Sequence, residues 1–259
     1  MNINFLIEKW KEFEDSENYS ECMGYVRARE KNISKTNKLI KEFIHSKIML
    51  KELKTGIAEL SEEELEIEKK RITSIWGADG SKGMLLFNLI INYSSKDKLN
   101  DLDKLLKNCF SVPNNINEAA TKIDLFSIHL ETISDSITPE KIKESKYPDK
   151  SWKYIKMFIN PTYSTAFIPV FWDMQELDKF PIYYTSCEKV IKEIDEKDKY
   201  YKKFNSPGEN YKLFYDFNIK LIKLLKEAYN KKLHFSDIST NYLKYIDEVY
   251  IEKVKLIKK

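Results

Sequence analysis

Three of the chain's six glycines fall in Trp76-Gly-Ala-Asp-Gly-Ser-Lys-Gly83, immediately ahead of the apolar run Met84-Leu-Leu-Phe-Asn-Leu-Ile-Ile91. A Gly-rich loop leading into a helix is where phosphate chemistry is first sought. Free backbone N–H groups at a helix start attract anions, and glycine lets them approach closely. The spacing departs from a Walker loop, which needs four residues between its first Gly and a Gly-Lys-Ser/Thr; here Lys82 is followed by Gly83 and Met84, leaving no hydroxyl for magnesium. No strand-like run precedes the loop, so a dinucleotide fingerprint fails as well. The favoured reading is a structural loop that packs a Trp-anchored turn on a buried helix, with phosphate binding as the alternative.

Other catalytic chemistries have little to stand on. Nucleophilic catalysis needs a His beside a Ser or Cys, and His45, His129 and His234 each fall in an amphipathic helical stretch or its approach, as ordinary surface or core residues do. Cys22, Cys109 and Cys187 are far apart, without Cys-x-x-Cys spacing or a nearby His, so neither a disulfide framework nor a zinc site is expected, and a reducing cytoplasm fits. Pro148-Asp149 with Asp195-Glu196-Lys197 can be aligned to a metal-nuclease pattern. With 41 acidic and 44 basic residues such triplets also arise by chance, and the surroundings read as helical. No metal or cofactor is expected.

Binding chemistry is better represented. Phe171, Trp172, Phe180, Tyr183 and Tyr184 form the densest aromatic cluster, and aromatics beside lysines can stack exposed bases. Packing is the favoured role for Phe171, Trp172 and Phe180; the adjacent Tyr183 and Tyr184 must point in different directions, which makes one of them a surface contact. The formal net charge of +3 is far from a strongly basic footprint, and only Arg27, Arg29 and Arg71 could supply bidentate forks. From Phe217 onward ten lysines face five acids, a bias that reads as a solvated helix face or a link to a following domain. Any nucleic-acid site must therefore be local.

The elements that would position these residues are mostly helices. The chain has 259 residues with 42% hydrophobic, 33% charged and 13% aromatic content, enough to bury a sizeable core, while 6 Gly and 7 Pro are too few for a β-sandwich with its frequent turns. Ile3, Leu6, Trp10 and Phe13 recur at helical spacing, as do Leu39, Ile40, Phe43, Ile44, Leu50 and Leu53, predicting two amphipathic helices at the start. Ser61-Glu62-Glu63-Glu64 has the capping-box pattern and predicts a helix to about Ile72. Met84 to Ile91, apolar all round, belongs at the centre of a bundle. It is less than half the roughly 20 residues needed to span a bilayer, and no basic region followed by a long apolar core opens the chain, so a soluble protein with no membrane partner is expected. Helical periods continue over Leu99–Leu106 and Glu118–Ile133, and Thr138-Pro139-Glu140 reads as a helix start. Pro161, Pro169 and Pro181 predict short helices and turns, and Ser206-Pro207-Gly208-Glu209 predicts the start of a long helix carrying Phe214, Phe217, Leu221, Leu224, Leu225 and Ala228. The fold expected is a mainly α, irregular multi-helix bundle, with a helical lobe over 1–140 and another over 150–259 joined by a hinge in Lys141–Lys153, or one continuous domain.

Trp76-Gly77, Gly80, Gly83-Met84 and Phe87-Asn88, followed further on by Phe171-Trp172 and Phe180-Pro181-Ile182-Tyr183-Tyr184-Thr185-Ser186, resemble the N-terminal region of McrB-type AAA+ restriction NTPases. That family carries a Trp-Gly loop before a Gly-Met-Phe-Phe-Asn helix start, and an aromatic-Trp pair leading into Trp-Pro-Ile-Tyr-Tyr-Thr-Ser. This chain has Phe180 where Trp is frequent, and Pro169 before Val170-Phe171 where a small residue is usual. The resemblance extends over Ile3 to Lys244, with specificity in these two motifs. It implies an AAA+ NTPase module that recruits a nuclease subunit, with this region recognising DNA or another invader signal. With no Walker sequence, the chain would be the specifier region rather than an NTPase.

The expectation is thus a cytoplasmic, non-catalytic recognition domain of an McrB-like defence system that binds DNA, modified or not. Trp76, Gly77, Gly80 and Lys82 of the loop would share a surface with Tyr183, Tyr184, Thr185 and Ser186 of the turn. The alternatives are a protein-docking or phage-sensing module of the same system, and a small helical nuclease or glycosylase-like enzyme using Asp149 and Asp195.

Overall fold

The computed structural model describes residues 1–62, 64–67, 70–73, 86–87, 89–91, 99–136, 159–195 and 199–252. The protein is mainly α-helical, as its patterning predicts. Helix α1 (Ile3–Glu14) is capped by the Asn2 side chain, which accepts the Phe5 N–H at 3.1 Å, and it buries Leu6, Trp10 and Phe13. Helix α2 (Glu17–Ile44) ends in a turn in which Ser46 takes a left-handed φ of 59°. That turn divides the stretch from Leu39 to Leu53, and helix α3 (Leu50–Glu62) is a separate element. The start of the chain therefore holds three helices where the periodicity alone predicts two.

The helix predicted from Ser61 to Ile72 is not formed. Ser61 and Glu62 are the last residues of α3, and an antiparallel hairpin comes next, β1 (Glu64–Ile67) with β2 (Lys70–Thr73), pairing Leu65 with Ile72 and Ile67 with Lys70. The reason is visible in the residue types. Glu64, Leu65, Glu66 and Ile67 alternate with a period of two, and Ile and Thr favour extended backbone. The Ser-x-x-Glu pattern is overridden by that alternation.

Leu86, Phe87, Leu89 and Ile90 are helical and fully packed, which places this apolar segment at the centre of the bundle as expected. Phe87 meets Phe110, Phe167 and Phe171 edge-on, with ring centroids 6.2, 5.9 and 5.8 Å apart, and Phe110 stacks on Phe171 at 3.6 Å. Phe110 closes helix α4 (Leu99–Phe110), and helix α5 (Ile116–Ser136) adds Phe126, stacked on Phe167 at 5.3 Å. Trp172 and Gln175 lock this centre by donating to the Cys109 carbonyl at 2.8 Å and the Phe110 carbonyl at 2.7 Å.

The proline-rich region is short helices and turns, as predicted. Asn160 caps a 3-10 turn (Pro161–Tyr163) that runs into helix α6 (Ser164–Asp173). Pro169 lies inside α6 and, lacking an N–H, cannot donate to the carbonyl four residues back. That carbonyl, on Thr165, accepts the Tyr183 N–H at 3.2 Å instead. A helix-breaking residue thereby creates the docking point for the segment that leads to helix α7 (Thr185–Ile194).

Helix α8 (Pro207–Tyr229) starts where Ser206-Pro207-Gly208-Glu209 predicts: the Ser206 hydroxyl accepts the Glu209 N–H at 3.2 Å, and Asn230 ends the helix with φ 52°. Asp124 of α5 completes the start, accepting the Gly208 N–H at 2.7 Å and the Ser206 hydroxyl at 2.9 Å. The chain then turns through a helical stretch in which π-type turns, Asp237–Tyr242 and Asp247–Glu252, flank helix α9 (Leu243–Ile246). Its Tyr242 hydroxyl donates to the Leu6 carbonyl of α1. Buried side chains from α1 to the last helical stretch form one cluster. Thr138-Pro139-Glu140 and the Lys141–Lys153 segment, where the lobes would meet, lie outside the described residues. No helix among the described residues is long and apolar enough to cross a membrane.

Candidate nucleic-acid interface

Of the two segments expected to share a surface, Trp76, Gly77, Gly80 and Lys82 lie outside the described residues, while the turn from Tyr183 to Ser186 is fully placed. Tyr183 goes inward. Its ring stacks on Phe214 at 4.1 Å with 11° between the planes, and it is 5% exposed. Burial first, and then the nearby Glu188, Cys187, Tyr201 and Asp195, push its phenol well above the ordinary tyrosine range, so it stays a neutral hydroxyl. Tyr184 is half-buried ahead of α7, Thr185 is exposed and Ser186 is half-buried. The structure thus separates the tyrosine pair into one core residue and one at the surface. Phe171, Trp172 and Phe180 are buried, in keeping with the packing role.

The segment beside this turn has the stronger surface chemistry. Helix α7 ends at Ile194, and the next residue, Asp195, uses its carboxylate to gather the chain: it accepts the backbone N–H of Lys199 at 2.7 Å, Tyr200 at 2.7 Å and Tyr201 at 2.8 Å. The gathered loop reads Lys199-Tyr200-Tyr201-Lys202-Lys203-Phe204, three lysines and three aromatics in succession without an acid. A turn closes it, with Asn205 N–H on the Lys202 carbonyl at 3.0 Å. Asn210 of α8 pins the same residue from the other side, accepting the Lys202 N–H at 3.0 Å and donating to its carbonyl at 3.1 Å.

Ammonium groups lie over the rings of this loop. Lys192 of α7 sits 4.2 Å from the Tyr201 ring centre, Lys199 and Lys220 sit 5.3 and 5.8 Å from Tyr200, and Lys203 sits 5.9 Å from Phe204. The Lys220 ammonium also donates to the Tyr200 hydroxyl at 3.0 Å, and Tyr200 leans edge-on against Phe217 at 5.2 Å. Phe204 stands clear of the protein, 95% exposed. Lysine over an aromatic face is attracted by the ring quadrupole, so each ring holds a cation beside an apolar plane. Among the described residues no carboxylate lies within ion-pair reach of Lys199, Lys202 or Lys203. The loop is therefore a compact positive surface with planar apolar faces.

No protein-family model, no curated protein and no solved structure matches this chain.

The groups considered for catalysis are placed as follows where they fall among the described residues. Asp195 is committed to its three backbone amides; Asp149 and the Glu196-Lys197 part of the nuclease-like pattern lie outside the described residues. Cys109 and Cys187 are buried, and burial pushes both thiols up to about 12, far from the thiolate a nucleophile needs. His45 ends α2, His129 packs near Phe126 in α5, and His234 Nδ1 lies 2.6 Å from the Asp178 carboxylate in a contact that ties the chain ahead of the last helical stretch to the turn after α6. Among the described residues no group of three or more His, Cys, Asp or Glu is arranged to hold a metal ion. Lys199 to Phe204 escape a motif reading because they contain no glycine, no acid and no helical period. Their one signal is the interleaving of lysine with aromatics.

Proposed function

We propose that this chain is a non-catalytic recognition domain that binds DNA through the lysine and aromatic loop Lys199–Phe204, with Lys192, Lys220 and the neighbouring Tyr184–Ser186 turn at its margin. The observation that carries the reading is the conjunction of lysines that meet no carboxylate among the described residues with aromatic rings on one pinned loop: Lys199, Lys202 and Lys203 interleave with Tyr200, Tyr201 and Phe204. Phosphates supply most of the affinity of a protein for nucleic acid, and lysines on an exposed loop are the groups that neutralise them. Aromatic rings beside them offer stacking planes to bases. The near balance of 44 basic and 41 acidic residues is compatible with this because the site is local. The resemblance of the Trp76–Phe87 and Phe171–Ser186 motifs to McrB-type restriction NTPases supports placing such a domain in a defence system, where an AAA+ module and a nuclease subunit would act on what it recognises.

The test is fluorescence anisotropy of the purified full chain with labelled DNA at low and physiological salt. The proposal expects binding that weakens steeply as salt rises. Absence of binding at low salt, or binding indifferent to salt, contradicts it.

A further inference from the structure

Phe204 differs from an ordinary exposed apolar side chain in how it is held. Single apolar residues on a surface need no explanation by themselves. This ring, however, sits in a four-residue turn closed by Asn205 N–H on the Lys202 carbonyl. One side of the turn is tied to Asn210 by two hydrogen bonds, and the other runs into Ser206, whose hydroxyl bonds Asp124 at 2.9 Å. A plane that is 95% exposed is thus carried on an anchored turn, with the Lys203 ammonium 5.9 Å away and Lys202 adjacent in sequence. Anchoring matters energetically because a turn already ordered loses little further freedom on binding.

The geometry points to an unpaired stretch of DNA as the ligand of this surface, with a base stacking on Phe204 and the flanking phosphates met by Lys202 and Lys203. The inference rests on the proposed DNA-binding function and narrows it. In a duplex the base faces are covered by their neighbours, and a side chain reaches one only by unstacking it. In a single strand every base offers a free face, and its backbone carries the negative charge that the loop's lysines match. The other rings fit a lesser role: Tyr200 leans on Phe217 and is hydrogen-bonded by Lys220, and Tyr201 is half-buried under Lys192, so Phe204, with the Lys203 ammonium near its ring, is the plane most open to solvent.

The experiment compares binding of an oligothymidine single strand and a mixed-sequence duplex of equal length to the full chain, to Phe204→Ala and to Phe204→Trp, at low salt. The expected result is tighter binding of the single strand than of the duplex. Phe204→Ala then weakens single-strand binding by on the order of ten-fold, the loss of one stacked base, with little effect on the duplex, while Phe204→Trp retains single-strand affinity. Because the side chain is exposed, neither variant disturbs packing, and matching circular dichroism spectra establish that. Equal or tighter duplex binding, or unchanged single-strand affinity in Phe204→Ala, overturns the stacking role and leaves lysine-driven DNA binding standing. Failure of both ligands to bind the parent chain overturns the DNA-binding function and this inference together.

Discussion

Thr165 and Tyr183 are joined by a backbone hydrogen bond of 3.2 Å that exists because Pro169 leaves the Thr165 carbonyl without its helical donor. The Thr165 hydroxyl adds a second link, lying 3.2 Å from the Tyr183 carbonyl and 2.8 Å from that of Thr162. Through this joint the Pro181–Tyr184 segment is held on α6, Tyr183 is directed onto Phe214, and the start of α7 is fixed. Helix α7 in turn delivers Asp195 and the lysine and aromatic loop.

Replacing Thr165 by valine keeps the shape and removes the side-chain link. The Tyr183 carbonyl then loses a donor in a buried place, so the variant is expected to be less stable by about 1 kcal/mol. A lower denaturant midpoint at unchanged slope in urea unfolding is the signature.

Gly208 sits against α5 so closely that an added Cβ would lie 2.3 Å from the Ala120 carbonyl oxygen and 2.6 Å from the Asp124 carboxylate. One neighbour is backbone and cannot swing aside. Gly208→Ala is therefore expected to destabilise by about 3 kcal/mol, as overpacking of a tight contact does. Asp124→Ala, which leaves the Ser206 cap in place and removes the acceptor of the Gly208 N–H and the Ser206 hydroxyl without a clash, is expected to cost about 1 kcal/mol. Thermal unfolding of the two variants should rank them in that order.

Asp195→Asn tests how the binding loop is held. One amide oxygen replaces a charged carboxylate that accepts three backbone N–H groups. The amides of Lys199, Tyr200 and Tyr201 should exchange with deuterium faster than in the parent, while the core of α8 is unaffected. DNA affinity should fall as well, although Asp195 carries the wrong charge to touch a phosphate.

Glu118 predicts part of the acid sensitivity. The Asn114 backbone N–H and the Lys122 ammonium hold its carboxyl down to about 2, against an ordinary value of 4.5. Because the folded value lies below the unfolded one, the stabilisation is present above about pH 4.5 and is lost as pH falls towards 2. In Glu118→Gln this contribution is absent at every pH. Its stability should therefore be lower than the parent's at neutral pH and should converge with it at acid pH, as followed by urea unfolding across that range.

The parts of this fold that can be read in advance are those with a repeating pattern. Leu6, Trp10 and Phe13 mark α1 by spacing, Ser206 to Glu209 mark the start of α8 by hydrogen-bonding chemistry local to four residues, and the apolar run that contains Leu86, Phe87, Leu89 and Ile90 announces the helical residues found at the centre of the core. The hairpin is hidden because Ser61-Glu62-Glu63-Glu64 fits a helix start, whereas the deciding feature is the alternation in the few residues after it. Pro169 reads as a helix breaker, yet it lies inside α6, since the carbonyl it orphans, on Thr165, finds Tyr183, eighteen residues further along the chain. The candidate site is half legible. Tyr184 to Ser186 stand out as an aromatic turn, but the anchoring of Lys199–Phe204 by Asp195, Asn210 and Asp124 depends on contacts among separate elements, which no local pattern encodes.

The most direct test of the DNA-binding account is the salt dependence of affinity for single-stranded DNA, measured for the parent chain and for a variant in which Lys199, Lys202 and Lys203 are all alanine. Each phosphate contact contributes a slope of about −0.7 in log K against log salt on a single strand. The account predicts a steep slope for the parent and, in the variant, weaker binding with the slope made shallower by about 2. Identical affinity and identical slope in the two proteins would contradict it.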